Sequence, residues 1–153
     1  MTKISELYDQ DFVLWTEEQA AALHQAKGAN LPLDWENLAE EIESLGKSDR
    51  RTIKSRVRRI LWHLFMLETS PQPKWHAAVL DARAEIEAVL GDSPSLRSQI
   101  DAAIHEQSAA AVQLAEDILG RCGESAQTVR ARLEQGGFTA GQVLGDWFSD
   151  APG

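Results

Sequence analysis

The sequence contains a single cysteine, Cys122, among its 153 residues. One cysteine cannot form an internal disulfide, and a chain of this length buries roughly 70% of its unfolded surface without needing one. This composition is more typical of a reducing cytoplasm than of a secreted protein, and we therefore expect a cytoplasmic location. Cys122 itself is expected to be a small apolar residue near the end of a helix.

Long apolar segments are also absent. The longest run, ILWHLFML at residues 60–67, is far shorter than the roughly 20 residues that a bilayer-spanning helix needs. The N-terminal sequence MTKISELYDQDF contains no apolar stretch of signal-peptide length. We therefore expect no association with a membrane.

Positive charge is scarce overall, because 15 Lys and Arg residues face 24 Asp and Glu residues and the net charge is −9. This balance disfavours nucleic-acid binding, which needs a positive surface to neutralise phosphate groups. The charges are distributed unevenly along the chain. Residues 33–45 contain five acids and no base, whereas residues 47–59 contain seven bases and one acid. Neighbouring segments of opposite sign suggest that the two pair with each other.

No stretch carries a specific catalytic, cofactor-binding or nucleic-acid-binding motif. The residues do not suggest a Ser/His/Asp or Cys/His arrangement, and Gly136 and Gly137 lack the flanking pattern of a phosphate-binding loop. We therefore assign no catalytic residue and no cofactor. These absences favour a non-enzymatic role.

The hydrophobic periodicity is that of helices throughout, and no segment alternates as a strand does. Ser125 and Thr139 begin two short C-terminal helices, and Thr139 forms a capping-box pair with Gln142. The main predicted helices cover residues 8–27, 35–45, 49–68, 74–90 and 93–121. We predict a single all-α domain over residues 1–153, a bundle of about five main helices on which the short C-terminal helices, at about 125–149, pack back.

Residues 35–68 are predicted to form a helical hairpin at the centre of this bundle. Gly46 can adopt the left-handed conformation that ends a helix, and Ser48 can cap the next one. The alternative is a continuous helix kinked at Gly46, because a glycine costs a helix only about 1 kcal/mol. The run from Ile60 to Leu67 is apolar on nearly every side, so we expect it at the centre of the bundle or in a subunit interface.

Several segments occur in an order that characterises a known family. LYDQDFVLWTEEQA, LDWENLAEEIESLGKSDRR, HLFMLETSP and GDSPSLRSQI follow one another along the chain. Over about residues 7–100, and most specifically in DWENLAEEIESLG, this sequence resembles the domain of unknown function 29 family of small bacterial proteins. The resemblance implies an all-helical fold and an intracellular bacterial setting, but no activity. Met66 and Leu67 stand where the family pattern leads us to expect a lysine followed by an apolar or aromatic residue, so a role for that lysine does not transfer.

The sharpest candidate site is a buried polar cluster of Glu41, Arg56 and His63. Glu41 lies about 60° from the centre of its helix's apolar arc and should be partly buried, so it needs a partner. A hairpin at Gly46 would bring it against the flank that carries Arg56 and His63. A second interpretation is a metal, small-ligand or acid/base site at Glu41 and His63, with Glu40 or Asp11 as a further member, although the Glu-x-x-His pair of helical-bundle metal sites is absent. A third is that His63 faces water.

Two surfaces are further candidates. Arg51, Lys54 and Arg58 form a basic stripe that could bind nucleic acid, pair with nearby acids or remain solvated. Trp62 and Phe65 point away from the main apolar stripe and are candidates for an interface. We favour a non-enzymatic helical interaction protein whose partner is a second copy of the chain or another cytoplasmic protein.

Overall fold

A computed structural model describes residues 4–26, 28 and 30–150 of the chain. These residues form seven α-helices and one 3₁₀ helix, with no strand among them. The helices are α1 (Ile4–Gln10), α2 (Phe12–Gln25), α3 (Trp35–Thr69), α4 (Pro73–Asp92), a 3₁₀ helix (Pro94–Gln99), α5 (Ile100–Arg121), α6 (Gln127–Glu134) and α7 (Ala140–Leu144). The predicted all-α fold, with main helices followed by short C-terminal ones, is confirmed.

The predicted first helix is divided in two at Asp11. This residue has an extended backbone, and its buried carboxylate caps α2 by accepting a hydrogen bond from the Leu14 amide at 3.0 Å. The same carboxylate accepts hydrogen bonds from the amide and the hydroxyl of Ser95, at 2.7 and 3.0 Å. The Ser93 hydroxyl, directly before the 3₁₀ helix, accepts a hydrogen bond from the Val13 amide at 3.1 Å. Polar side chains therefore join the start of α2 to the 3₁₀ helix.

α3 is one continuous helix of 35 residues, so the predicted hairpin at Gly46 is wrong. Gly46 is buried inside it, and a Cβ atom at this position would overlap Oγ1 of Thr16 on α2. The glycine therefore allows two helices to approach closely and does not end either of them. Glu41 and His63 consequently lie about six turns apart on one helix, and the two charged segments do not fold onto each other.

The chain divides into two compact units. The first extends to Thr52 and also includes Ala88–Ser98, whereas the second contains Ile53–Glu87 and the chain from Gln99 onward. In the first unit, Glu17 and Arg50 form an ion pair between α2 and α3. Its buried apolar residues are Val13, Ala20, Ala39, Leu90 and Leu96. The prediction of a single domain stays a prediction.

The second unit is built on the C-terminal half of α3. Ile60, Leu61 and residues 63–67 are all buried, which confirms the central position predicted for this apolar run. The other buried apolar residues of this unit are Ile53, Val57, Val79, Ala82, Ile86, Ile100, Ala103, Ile104, Ala111, Val112, Ala115, Leu119, Val129, Phe138 and Val143. None of the described helices combines the length and the apolar character needed to cross a membrane.

The short C-terminal helices belong to the second unit and contact its core. Phe138, between α6 and α7, places its ring 5.0 Å from the ring of Phe65 on α3. The predicted capping box at Thr139 and Gln142 is confirmed, because each side chain accepts a hydrogen bond from the other residue's backbone amide. Arg132 on α6 forms a two-pronged ion pair with Glu68, with nitrogen–oxygen distances of 2.7 to 3.1 Å. These contacts hold α6 and α7 against the end of α3.

Candidate functional site

The predicted polar cluster does not form as expected. Glu41 is exposed, so the expectation that it is partly buried and needs a partner is wrong. Arg56 forms an ion pair with Glu85 on α4. The physical reason is the continuity of α3, which keeps its acidic first turns away from the buried stretch that contains His63.

His63 is buried, as the cluster prediction requires, but it is satisfied by its own helix. Its Nδ1 atom lies 2.6 Å from the carbonyl oxygen of Arg59, one turn earlier. Burial is the main cause that lowers the pKa of His63 below its usual value, and the charge of Arg59 lowers it further against the opposing effect of that hydrogen bond. The ring is therefore neutral at pH 7, and its Nδ1 carries the proton that it donates to the carbonyl.

The residues that the structure describes contain no group of three or more His, Cys, Asp or Glu side chains arranged to hold a metal ion. Glu41 and His63 lie on the same helix without the close spacing that would let both bind one ion. The metal interpretation therefore gains no support from the geometry.

The two candidate interface residues have different environments. Phe65 is 1% exposed and packs against Phe138, so it cannot serve as a surface contact and that prediction is wrong. Trp62 is half-buried, with its ring centroid 3.6 Å from that of His63 and 5.7 Å from that of Trp75. The indole nitrogen of Trp75 donates a hydrogen bond to the Ser70 carbonyl at 3.1 Å. Trp62 thus belongs to an aromatic cluster within the second unit.

The basic residues Arg51, Lys54 and Arg58 are all exposed on α3. Lys54 forms an ion pair with Glu106 on α5 at 3.0 Å. Both side chains of this pair are about half exposed, and such surface pairs contribute little to stability. Lys54 thus fits the alternative in which the stripe pairs with acids, and the exposure of all three side chains fits the solvated one.

An exposed apolar surface, not anticipated from the sequence, lies in the first half of α3. Leu38 and Leu45 are seven residues apart and share one side of the helix, with 40% and 51% of their surfaces exposed. We call this pair the leucine edge. Leu31 and Leu33, in the segment that leads into α3, are also exposed. This part of α3 buries its small residues Ala39 and Gly46 within the first unit and leaves the larger side chains of the leucine edge exposed to solvent.

An acidic pocket lies elsewhere in the first unit. Its volume is about 420 Å³, and Tyr8, Asp9, Phe12, Asp49 and Asp92 line it. Burial is the larger cause that raises the pKa of Asp49, and the negative charge of Asp92 raises it further. The two carboxylates therefore repel each other in a partly desolvated site.

A larger pocket, of about 550 Å³, lies in the second unit between α5 and the segment from Leu133 to Ala140. Asp101, His105 and Ser108 line it from α5, on one side of the helix because they follow a spacing of four and then three residues. Phe138, which is buried, lines it from the other side. The pocket thus combines apolar and polar walls.

Arg83 is a buried residue that sequence reasoning missed. Its guanidinium donates hydrogen bonds to the backbone carbonyls of Gln142, Val143 and Trp147 at 2.9, 2.8 and 2.6 Å. Its Nη1 atom is buried and has no hydrogen-bond partner among the described residues. Burial lowers the pKa of Arg83, while the charge of Asp146 opposes that shift. The signal that could have revealed it is helical spacing, which places this arginine on the same side of α4 as the apolar residues Val79 and Ile86.

Comparison with known proteins finds a matching family and a similar fold, and neither has a known activity. The family described as Domain of unknown function DUF29 matches residues 7–148. A crystal structure of an α-helical protein of unknown function from Rhodospirillum rubrum ATCC 11170 is 27% identical, with a TM-score of 0.74 over 91% of this chain and 89% of that one. No curated protein is significantly similar to this chain.

Proposed function

This chain belongs to the DUF29 family, a family without an assigned activity, and we propose that it is a non-enzymatic helical interaction protein of the bacterial cytoplasm. The single observation that carries the proposal is the leucine edge. The cytoplasmic setting is supported by the single cysteine, which is free and exposed. The bacterial setting is the one that the family resemblance implies.

The leucine edge offers an apolar surface that a partner could bury. Leu38 and Leu45 lie about 10 Å apart along α3 and point the same way. Both are roughly half exposed, and completing the burial of each would contribute on the order of 1 kcal/mol. Ile42 and Trp35, both half-buried, lie between these leucines and the buried side of the helix. A partner would therefore meet a continuous apolar strip.

The charge around this strip indicates the chemistry of the partner. Residues 31–45 contain five acids and no base. Of these, Asp34 and Glu41 lie on the same side of α3 as the leucine edge, within about 60° of it. A second copy would place acids against acids, which is unfavourable, whereas a basic partner would be attracted. The occupant we propose is a basic amphipathic helix of another protein, with apolar residues at positions i, i+4 and i+7.

Binding of designed peptides tests this proposal. The probe is a helical peptide of leucines and lysines. One control peptide replaces the lysines with glutamates, and a second contains the same leucines and lysines in scrambled order. Titrations at about 50 mM salt should give at least tenfold tighter binding to the basic helix than to either control peptide. Leu38→Gln combined with Leu45→Gln should weaken that binding at least tenfold.

Leu80→Gln is the matched control, because Leu80 is an exposed leucine on α4, outside the leucine edge. It should leave peptide binding unchanged. Equal binding of the lysine and glutamate peptides would contradict the proposal, as would unchanged binding by the double variant. A dimer seen by light scattering that the double variant abolishes would make a second copy the occupant, and would also overturn it.

A further inference from the structure

The pocket between α5 and the segment from Leu133 to Ala140 has an apolar floor. Phe138 is 4% exposed, and its ring lies 5.0 Å from that of Phe65 and 5.8 Å from that of Trp147. Ile104 is also buried and contributes the α5 side of the floor. Because Phe138 packs against the buried ring of Phe65, the structure supports this floor from below.

The polar wall of this pocket offers hydrogen-bond acceptors. The Ser108 hydroxyl donates its hydrogen to the Ile104 carbonyl at 2.6 Å, so it can only accept a hydrogen bond from a ligand. The carboxylate of Asp101 is an acceptor that carries a negative charge. Within the described part of the chain, neither Asp101 nor His105 forms an ion pair or a side-chain hydrogen bond. A ligand therefore needs donors, and a positive charge would suit it best.

The size and the rim of the pocket agree with a small molecule. Its volume of about 550 Å³ lies within the range of about 300 to 1,000 Å³ that is usual for ligand pockets. Gly136 lines the rim with a φ of 104°, a conformation that side chains rarely adopt, so no side chain occupies that position. The net charge of −9 also favours the approach of cations.

From these observations we infer that the pocket binds a small amphipathic amine. The ammonium group lies against Asp101 at one end of the pocket, and the apolar body covers Ile104, Leu133 and Phe138. His105 borders the ammonium site and supplies a ring nitrogen as a further acceptor. This site shares no residue with the leucine edge, so it goes beyond the interaction role proposed above and can be tested separately.

Calorimetric titration with matched pairs of ligands tests this inference on the intact chain. The amines are tryptamine, phenethylamine and hexylamine, and each is compared with the alcohol that replaces its amino group. At least one amine should bind with a stoichiometry of one, at least tenfold more tightly than its alcohol. Asp101→Asn should reduce the affinity for that amine to the affinity for the alcohol, because only the charge is removed.

A pair of variants on α5 separates pocket binding from general surface effects. Ala109 lines the pocket, whereas its neighbour Ala110 is also exposed but does not line it. Ala109→Phe should fill the pocket and reduce the amine affinity at least tenfold, and Ala110→Phe should leave it unchanged. The inference is overturned if no amine binds at millimolar concentration, if each alcohol binds as well as its amine, or if Ala109→Phe binds normally.

Discussion

Gly46 of α3 lies against the Thr16 side chain of α2 so closely that a single methyl group on the glycine would overlap the threonine hydroxyl oxygen. Thr16 cannot move away freely, because it is buried and its hydroxyl donates a hydrogen bond to the Val13 carbonyl at 2.7 Å. The close approach of these two helices therefore depends on the missing side chain.

Gly46→Ala should destabilise the protein by about 1 to 3 kcal/mol, which is the usual cost of an added methyl group in a packed core. The gain in helix propensity, of about 1 kcal/mol at most, opposes this cost. Urea denaturation gives the free energy of unfolding. Gly91→Ala is the control, because Gly91 lies in α4 and an added Cβ there would meet nothing within 4 Å. That substitution should be neutral or stabilising, and an equal effect at both positions would contradict the packing role of Gly46.

The same glycine shows what sequence patterns can predict. Periodicity and caps correctly predicted the helical character of the chain, the central apolar run and the capping box at Thr139. A glycine followed by Ser48 is also typical of a break between helices. Only the position of Thr16, which is distant in sequence, determines that Gly46 is needed for close packing instead. Such a tertiary requirement leaves no local signal.

The candidate sites show the same limit. Periodicity indicates which side of a helix is apolar, but not whether a neighbouring element covers that side. In residues 35–45 the apolar side includes Leu38 and Leu45, so periodicity predicts both as buried, whereas both are about half exposed. The prediction that Glu41 is partly buried is wrong for a related reason. The predicted cluster depended on a hairpin, and the continuous α3 does not form one.

Arg83→Met should destabilise the chain by about 2 to 4 kcal/mol, because it removes charge-assisted hydrogen bonds and leaves backbone carbonyls unsatisfied. The loss should be accompanied by faster amide hydrogen exchange in residues 142–150, since Arg83 binds the carbonyls of Gln142, Val143 and Trp147. Arg83→Lys should recover only part of the stability, because an ammonium group lacks the planar fork that reaches several carbonyls. If Arg83→Lys were as stable as the wild type, a positive charge alone would account for the stabilisation, contrary to the role argued for the planar guanidinium.

Asp49→Asn should stabilise the protein at pH 7. Burial and the charge of Asp92 raise the pKa of Asp49 in the folded state. The ionised carboxylate therefore destabilises the folded chain at neutral pH. Stability is therefore lost as the pH rises from the unfolded pKa through the higher folded pKa. The expected gain is up to about 1 kcal/mol for a partly exposed group, and it should shrink as the pH falls toward 4.

Urea denaturation at pH 7 and pH 4 measures this effect. Asp81→Asn is the control, because Asp81 is an exposed aspartate on α4 that lies outside the acidic pocket. It should change stability little at either pH. A loss of stability in Asp49→Asn at pH 7 would show that its charge is favourable in the fold, contrary to the repulsion argued for the pocket.

His63 should make the chain less stable as the pH falls below about 6.5, the usual pKa of an unfolded histidine. Burial lowers the pKa of His63 in the folded state, so the unfolded chain gains a proton in this range that the folded chain resists. Stability is therefore present above the unfolded pKa and is lost as the pH falls toward the lower folded pKa, by at most about 1.4 kcal/mol per pH unit.

His63→Phe keeps a ring beside Trp62 and Trp75 and should flatten this dependence of stability on pH between pH 7.5 and 5.5. His105→Phe, at an exposed position, removes a histidine without that burial and should leave the slope as in the wild type. If the slope of His63→Phe equals that of the wild type, burial of the neutral ring is not the source of the pH dependence.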